Sequence, residues 1–225
     1  MPSLPSRWRA AFSRSWVLLL VTIGHLLATA FFHHFEAAVA GIRQGPYRAL
    51  AKQIIQLQQN LFQHSLPLRL LLGLLVVALL LRALQAKPLG WGMDLLGGLL
   101  VFRSGLQFGL ENLLLLAPFQ EGVNLLSQLL LFLPVVTIAF GWLYLRLDSG
   151  ARRFGRRHIQ FDGSLEPIDP FDYFHVAAVT LLQFEPSGAK ATTRLMKTLF
   201  VLHGVVMLDL VALVLSRAIG LASGG

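Results

Sequence analysis

The side chains of this sequence that could do chemistry in a membrane lie inside long apolar segments. Asp209 is near the middle of the last apolar segment, and Arg103, Gln107 and Glu111 recur every four residues in an earlier one. An ionisable side chain inside such a segment usually faces water or a partner, and it often marks an ion or proton path. Asp209 could therefore attract cations in a water-filled cavity, or pair with Arg103 or Asn112 of a neighbouring helix. For the four-residue stripe, a buried polar contact that fixes helix register is favoured over a relay.

Histidine is the other residue type in these segments that could bind a ligand. His25 and His203 lie in apolar segments, His175 lies in a short aromatic one, and His33 and His34 follow His25. Paired membrane histidines can ligate haem, but no two segments carry pairs in register, so a haem- or quinone-binding redox subunit is the weakest hypothesis. The sequence has no cysteine and no motif of a zinc protease, a nucleophile elbow or a phosphate loop. We therefore predict neither an enzyme nor a cofactor.

Composition identifies a membrane protein. Hydrophobic residues make up 55% of the chain and charged residues only 13%, whereas a soluble domain averages about 25% charged residues. The net charge of +8 comes from clusters between apolar segments, which suits lipid headgroups and topology signals better than nucleic acid. We predict an integral protein of the plasma (inner) membrane or of an internal membrane such as a thylakoid, with no nucleic-acid partner.

Apolar segments divide the first two thirds of the chain into predicted helices. Residues 15–35 and 122–145 contain no Lys, Arg, Asp or Glu, and each fits the roughly 20 residues that a spanning helix needs. Residues 66–84 are a weaker candidate, whose terminal arginines can reach the headgroups. Residues 91–116 are interrupted by charges and glycines, so they predict either a third span with a polar face or a helical hairpin. Residues 49–64 predict an amphipathic interfacial helix.

The last third of the chain predicts a short helix between two long ones. An aromatic helix starts at Asp172, a turn follows at Glu185–Gly188, and a long apolar helix covers 193–219. The aromatic helix is too short to cross a bilayer, and non-helical backbone at membrane depth is tolerated only beside protein or water. We therefore predict an all-α membrane protein with four or five transmembrane helices plus a re-entrant pore helix, in which 1–121 packs around 122–225.

Four short patterns within 122–225 stand in a recognisable order. They are Asp172-Tyr-Phe, Val179-Thr180-Leu181, a central Gly204 in the last helix, and Ser216-Arg-Ala-Ile-Gly220 at its end. In this order and spacing the segment resembles the pore module of the two-transmembrane potassium-channel family. The resemblance implies an outer helix, a pore helix with its filter, an inner helix that could bend at Gly204, and a homotetramer. It covers under half of the chain.

The filter positions implied by this resemblance depart from the family pattern. They fall on Gln183, Phe184, Glu185, Pro186 and Ser187, with Glu185 and Ser187 where the family has its two glycines. Glycine permits the backbone angles that aim successive carbonyls at the pore axis, whereas proline fixes φ near −65°. Selective potassium conduction through a carbonyl ladder is therefore rejected. Four Glu185 carboxylates could instead select monovalent or divalent cations by charge, as the filter glutamate of prokaryotic sodium channels does, which Phe184-Glu185 loosely resembles.

Three hypotheses follow, and membrane topology bears on the first two. The leading one is a weakly selective cation channel, and the second is a non-conducting scaffold or accessory subunit with the channel fold, in which Glu185–Gly188 is an ordinary polar turn. Positive-inside counting places residues 1–14 in the cytoplasm. If the first four helices all span, the arginine-rich loop 146–170 also lies there, and the pore loop opens on the side opposite to the family's. If 91–116 or 66–84 does not fully cross, the family's orientation is restored, but the arginines then face outward.

Overall fold

The protein folds into seven α-helices and one pair of short antiparallel strands within the residues that the structure, a computed structural model, describes. Those residues are 6–40, 45–63, 66–85, 89–116, 123–162, 168–183 and 188–223. The helices are α1 (Ser6–Ala40), α2 (Pro46–Gln58, continued by a π-helical turn at Gln59–Gln63), α3 (Leu66–Leu84), α4 (Gly90–Leu116), α5 (Val123–Arg152), α6 (Pro170–Gln183) and α7 (Arg194–Ser223). The strands are β1 (Ile159–Phe161), between α5 and α6, and β2 (Ala189–Ala191), between α6 and α7.

Three of the described helices are long and apolar enough to cross a membrane. The spanning segments are Phe12–His33 in α1, Leu131–Arg152 in α5 and Arg194–Leu213 in α7, each 20 to 22 residues long. A length of about 20 residues matches the hydrocarbon thickness of a bilayer at 1.5 Å rise per residue. These segments confirm the expectation of a mostly helical membrane protein.

Helix α5 is the centre of the bundle. It contacts α1, α4, α6 and α7, and within residues 131–152 Pro134 alone is exposed. Against α1, the rings of Phe31 and Phe132 stack at 4.9 Å between centroids. Helix α5 is apolar over most of its circumference, so its side chains pack closely against all four neighbours. These contacts hold the neighbouring helices in register.

The helices begin and end at two sides of the bundle, and Arg14, Arg146 and Arg153 lie together at one of them. Near this side, which we call the arginine side, Arg146 at the end of α5 forms a bidentate ion pair with Asp94 at the start of α4, with an Arg146 Nη2 to Asp94 Oδ2 distance of 2.6 Å. Ser13 in α1 donates to the Asp169 carboxylate ahead of α6 at 3.4 Å. The starts of α1, α4 and α6 therefore lie beside the end of α5.

Several predicted boundaries are confirmed and others are wrong. Helix α3 has the predicted bounds, and the segment 49–63 of the predicted amphipathic helix lies in α2 and its π-helical turn. Residues 91–116 lie in one continuous helix, so the hairpin alternative is wrong. Arg146–Arg152, assigned to a loop, belongs to α5, because Arg146 binds Asp94 of α4 and Asp148 binds His158 and Tyr173 rather than ending the helix. The strands β1 and β2 were not predicted.

Candidate functional site: the α5–α7 module

Two short strands flank α6, one before it in the chain and one after it. Strands β1 and β2 pair antiparallel, with Ile159 opposite Ala191 and Phe161 opposite Ala189. The backbone N–H of Asp162 donates to the carbonyl of Gly188 at 2.9 Å and closes the ladder. Gly188 has a φ of +74°, a left-handed conformation that glycine adopts without strain. The strand pair therefore holds the chain before α6 beside the chain after it.

A buried carboxylate joins this strand pair to the end of α5. Asp148 is fully buried and accepts hydrogen bonds from the backbone N–H groups of His158 at 2.7 Å and Ile159 at 3.0 Å. It also accepts from the Tyr173 hydroxyl at 2.6 Å and from Arg152 Nε at 2.8 Å. Four donors on one carboxylate satisfy its oxygens in a site that water does not reach. Asp148 thus fixes α5, β1 and α6 relative to one another.

Helix α6 packs on α5 at close range. A Cβ built on Gly141 would lie 3.1 Å from the Cα of Phe174 and 2.5 Å from its ring, so only glycine lets the two backbones approach this closely. The Tyr173 ring meets Phe161 of β1 edge-on, with centroids 5.1 Å apart. Burial raises the pKa of the Tyr173 phenol above its usual value, and the hydrogen bond to Asp148 raises it further, so the hydroxyl stays protonated and donates.

Helix α7 packs on α5 through a buried aromatic cluster. Tyr144 Oη and His203 Nδ1 are 2.8 Å apart and share a hydrogen bond. The His203 ring stacks on Phe140 at 4.0 Å between centroids, and Tyr144 meets Phe200 edge-on at 5.0 Å. At the start of α7, Thr193 and His158 share a further hydrogen bond of 2.9 Å. Helices α5 and α7 therefore run antiparallel and α6 lies beside them.

The predicted filter residues fall partly outside the described residues. Thr180 is buried in α6, where its hydroxyl donates to the carbonyl of Val176 at 2.8 Å, and Gln183 is the exposed last residue of the helix. Phe184, Glu185, Pro186 and Ser187 lie outside the described residues. The four residues are thus bounded by Gln183 at the end of α6 and by Gly188 ahead of β2.

The two residues predicted to act in the inner helix, Gly204 and Asp209, have different surroundings. Gly204 is half-buried in α7, close to the His203 contact with α5. Asp209, also half-buried, accepts a hydrogen bond from Asn112 Nδ2 of α4 at 3.1 Å. Pairing with Asn112 was one of the two alternatives for this carboxylate. The hydrogen bond ties α7 to α4 toward the side opposite the arginines.

The polar stripe of α4 contacts α1. Arg103 is 3% exposed and donates to the Thr29 hydroxyl at 2.9 Å and to the Ala28 carbonyl at 3.1 Å. Gln107 donates to the same Ala28 carbonyl at 2.7 Å. These bonds agree with the interpretation of the stripe as a contact that fixes helix register.

Three of the histidines considered as ligands, His25, His175 and His203, contact other groups of the protein. His25 Nε2 donates to the Leu96 carbonyl at 3.0 Å, and His203 binds Tyr144. His175 is exposed on α6 and stacks near Phe171, with centroids 6.3 Å apart. Within the described residues, His, Asp and Glu form no group of three that could hold a metal ion.

Sequence reasoning missed the residues that organise the module. Asp148 joins α5 to β1 and α6, and the pair Tyr144–His203 joins α5 to α7. Neither belongs to a recognisable sequence motif. The only signal for Asp148 is a single acid among basic residues just after an uncharged stretch. Comparison of the chain with protein families, curated proteins and solved structures finds no match.

Proposed function

We propose that this chain is a subunit of an oligomeric, channel-like membrane protein whose pore module is α5, α6 and α7. The observation that carries the proposal is the pairing of β1 with β2. It returns the chain to the arginine side after α6, so that a short helix is held between two long, antiparallel apolar helices. This order of long, short and long helices supports the outer helix, re-entrant pore helix and inner helix that the sequence resemblance implies.

The outward face of α6 supports assembly with further copies. Phe171, His175, Ala178 and Leu182 recur at spacings of four, three and four residues, and all four are exposed. The neighbouring stripe of α7 is exposed and apolar as well, at Val201, Val205, Leu208, Ala212 and Leu215. One pore loop cannot enclose an axis, so copies of this face around a common axis would be needed, and the resemblance implies four.

In such an assembly the segment after Gln183 would surround the axis and present Glu185. A ring of carboxylates attracts monovalent or divalent cations by charge, without the fitted carbonyl ladder of a potassium filter. The proposed activity is therefore cation conduction with poor preference for potassium. Gly204 would be the point at which α7 could bend.

A second candidate, a non-conducting accessory or scaffold subunit, is favoured by one observation. Asp209 is bonded to Asn112, and a carboxylate used in helix packing contributes less field to a cavity. In this case the same oligomer would assemble through α6 and α7 and would carry no current.

Disulfide trapping tests the assembly. The sequence has no cysteine, so Ala178→Cys introduces a single thiol on the exposed face of α6. We expect oxidation in membranes to give covalent dimers of Ala178→Cys and none of Val77→Cys, a matched exposed position on α3. A monomer after purification in mild detergent, together with equal trapping at both positions, would refute the oligomeric pore.

Planar-bilayer recording then separates the two candidates. Purified wild-type oligomer should give cation currents that Glu185→Gln reduces strongly, whereas the control Asp162→Asn, at an exposed acid directly after β1, should leave them unchanged. Silence from a stable oligomer would reject conduction and support the accessory subunit.

A further inference from the structure

A cavity of about 570 Å³ lies between α1, α3, α4 and the π-helical turn. It follows one face of α1, where Thr22, His25, Thr29 and His33 line it. This volume is within the range of pockets that bind small molecules, roughly 300–1,000 Å³. The cavity is separate from the α5–α7 module, so its occupant does not depend on the pore proposal.

The lining combines charge with apolar surface. Arg103 of α4 and Arg69 of α3 both line the cavity, and Leu26, Leu72, Val76 and Leu96 supply apolar walls. A ligand that satisfies both parts must carry an anionic group and a hydrocarbon portion. In a protein with spanning helices, the abundant molecule of that chemistry is an anionic lipid.

Arg103 provides the reason for an anion. Its guanidinium is bound only by neutral groups among the described residues, namely two carbonyls of α1, the Thr29 hydroxyl and the Phe62 ring at 4.9 Å. Its Nε is buried and has no hydrogen-bond partner within the described part of the chain. Buried charges in proteins are normally paired with an opposite charge. Arg103 thus has a donor to spare and a charge that no described carboxylate neutralises.

We propose that this cavity binds an anionic phospholipid, with the phosphate on Arg103 and part of an acyl chain along Leu26 and Val76. Arginine is suited to this role because its planar donors match phosphate oxygens. The Thr29 hydroxyl, which already orients the guanidinium, makes Arg103 a positioned donor rather than a mobile one.

Gly73 offers a variant that fills the cavity without disturbing the fold. It lines the cavity from α3, and a Cβ built on it meets nothing within 4 Å. Gly73→Leu therefore places a side chain in the space proposed for lipid. Gly98→Leu is the matched control, because Gly98 on α4 also has open space around its Cβ and does not line the cavity.

The experiment is native mass spectrometry of the purified full chain, titrated with phosphatidylglycerol or with phosphatidylcholine of the same acyl chains. Wild type and Gly98→Leu should retain one phosphatidylglycerol per chain at least about tenfold more tightly than phosphatidylcholine, as expected for a charge-assisted contact. Gly73→Leu and Arg103→Gln should lose that preference, and Arg103→Lys should keep only part of it.

Two results would overturn the proposal. One is an unchanged preference in Gly73→Leu, which remains decisive even if Arg103→Gln fails to fold. The other is binding of inorganic phosphate to delipidated protein, dependent on Arg103, with no retained lipid, since the anion would then come from solution.

Discussion

Replacing Asp148 by asparagine tests whether one buried carboxylate fixes α6 to the bundle. The substitution keeps the size of the side chain and removes its charge. One amide oxygen can still accept from the backbone N–H groups of His158 and Ile159. The amide nitrogen is a donor, so it cannot accept from the Tyr173 hydroxyl or from Arg152 Nε.

The expected loss in the free energy of unfolding follows from these four contacts. Leaving the buried Tyr173 hydroxyl without an acceptor costs about 1–3 kcal/mol. The Arg152 side chain is 29% exposed, so water screens its ion pair with Asp148, and we assign the loss of that pair at most about 1 kcal/mol. Weakening two bonds from charged to neutral acceptor adds roughly 0.5–1 kcal/mol in total. The sum is about 3 kcal/mol.

Thermal unfolding in detergent, followed by size-exclusion fluorescence, measures this loss. At roughly 2–4 °C per kcal/mol for a chain of this length, the Tm of Asp148→Asn should fall by about 10 °C. The matched control is Asp162→Asn, whose 3.5 Å pair with Lys190 is exposed and should contribute under about 0.5 kcal/mol. Equal Tm values for the two variants would refute the role assigned to Asp148.

The contacts of α5 with its two partners in the module give two further predictions. Gly141→Ala forces α6 away from α5, because the new Cβ would meet the Phe174 backbone. We expect overpacking to lower the free energy of unfolding by about 1–3 kcal/mol, which lowers the Tm, and disulfide trapping through Ala178→Cys should weaken. Gly98→Ala is its control. Tyr144→Phe leaves His203 Nδ1 buried without a partner and should cost about 1–3 kcal/mol, measured by the same thermal assay; no change in Tm would mean that the hydrogen bond contributes nothing net.

Hydropathy alone was sufficient to identify the membrane class and several helices. Helix α3 begins and ends as predicted because its apolar stretch is bounded by polar and turn-forming residues on both sides. The amphipathic pattern of 49–64 likewise predicted a helix there. These features depend on local composition, which the sequence displays directly.

Tertiary contacts explain the places where sequence reasoning was incomplete. Charges within 91–116 left a hairpin open, yet α4 is continuous, because Arg103 and Gln107 find acceptors on α1. Arg146 appeared to start a loop, but its pair with Asp94 lets α5 continue to Arg152. The partner of each polar residue lies 50 or more positions away, so no local pattern contains it.

The arrangement of helix ends bears on the orientation of the proposed pore. Residue Ser13 of α1 and the arginines after α5 lie near the same side as β1 and β2, so the positive-inside rule would place the entrance to α6 in the cytoplasm. That orientation is opposite to the one that the potassium-channel resemblance implies. A carboxylate ring acts through charge, however, and attracts a cation from whichever side water reaches it. The inverted orientation therefore weighs against transferring the potassium-channel function to this chain from the resemblance alone. It does not affect the electrostatic argument for the proposed conduction past Glu185.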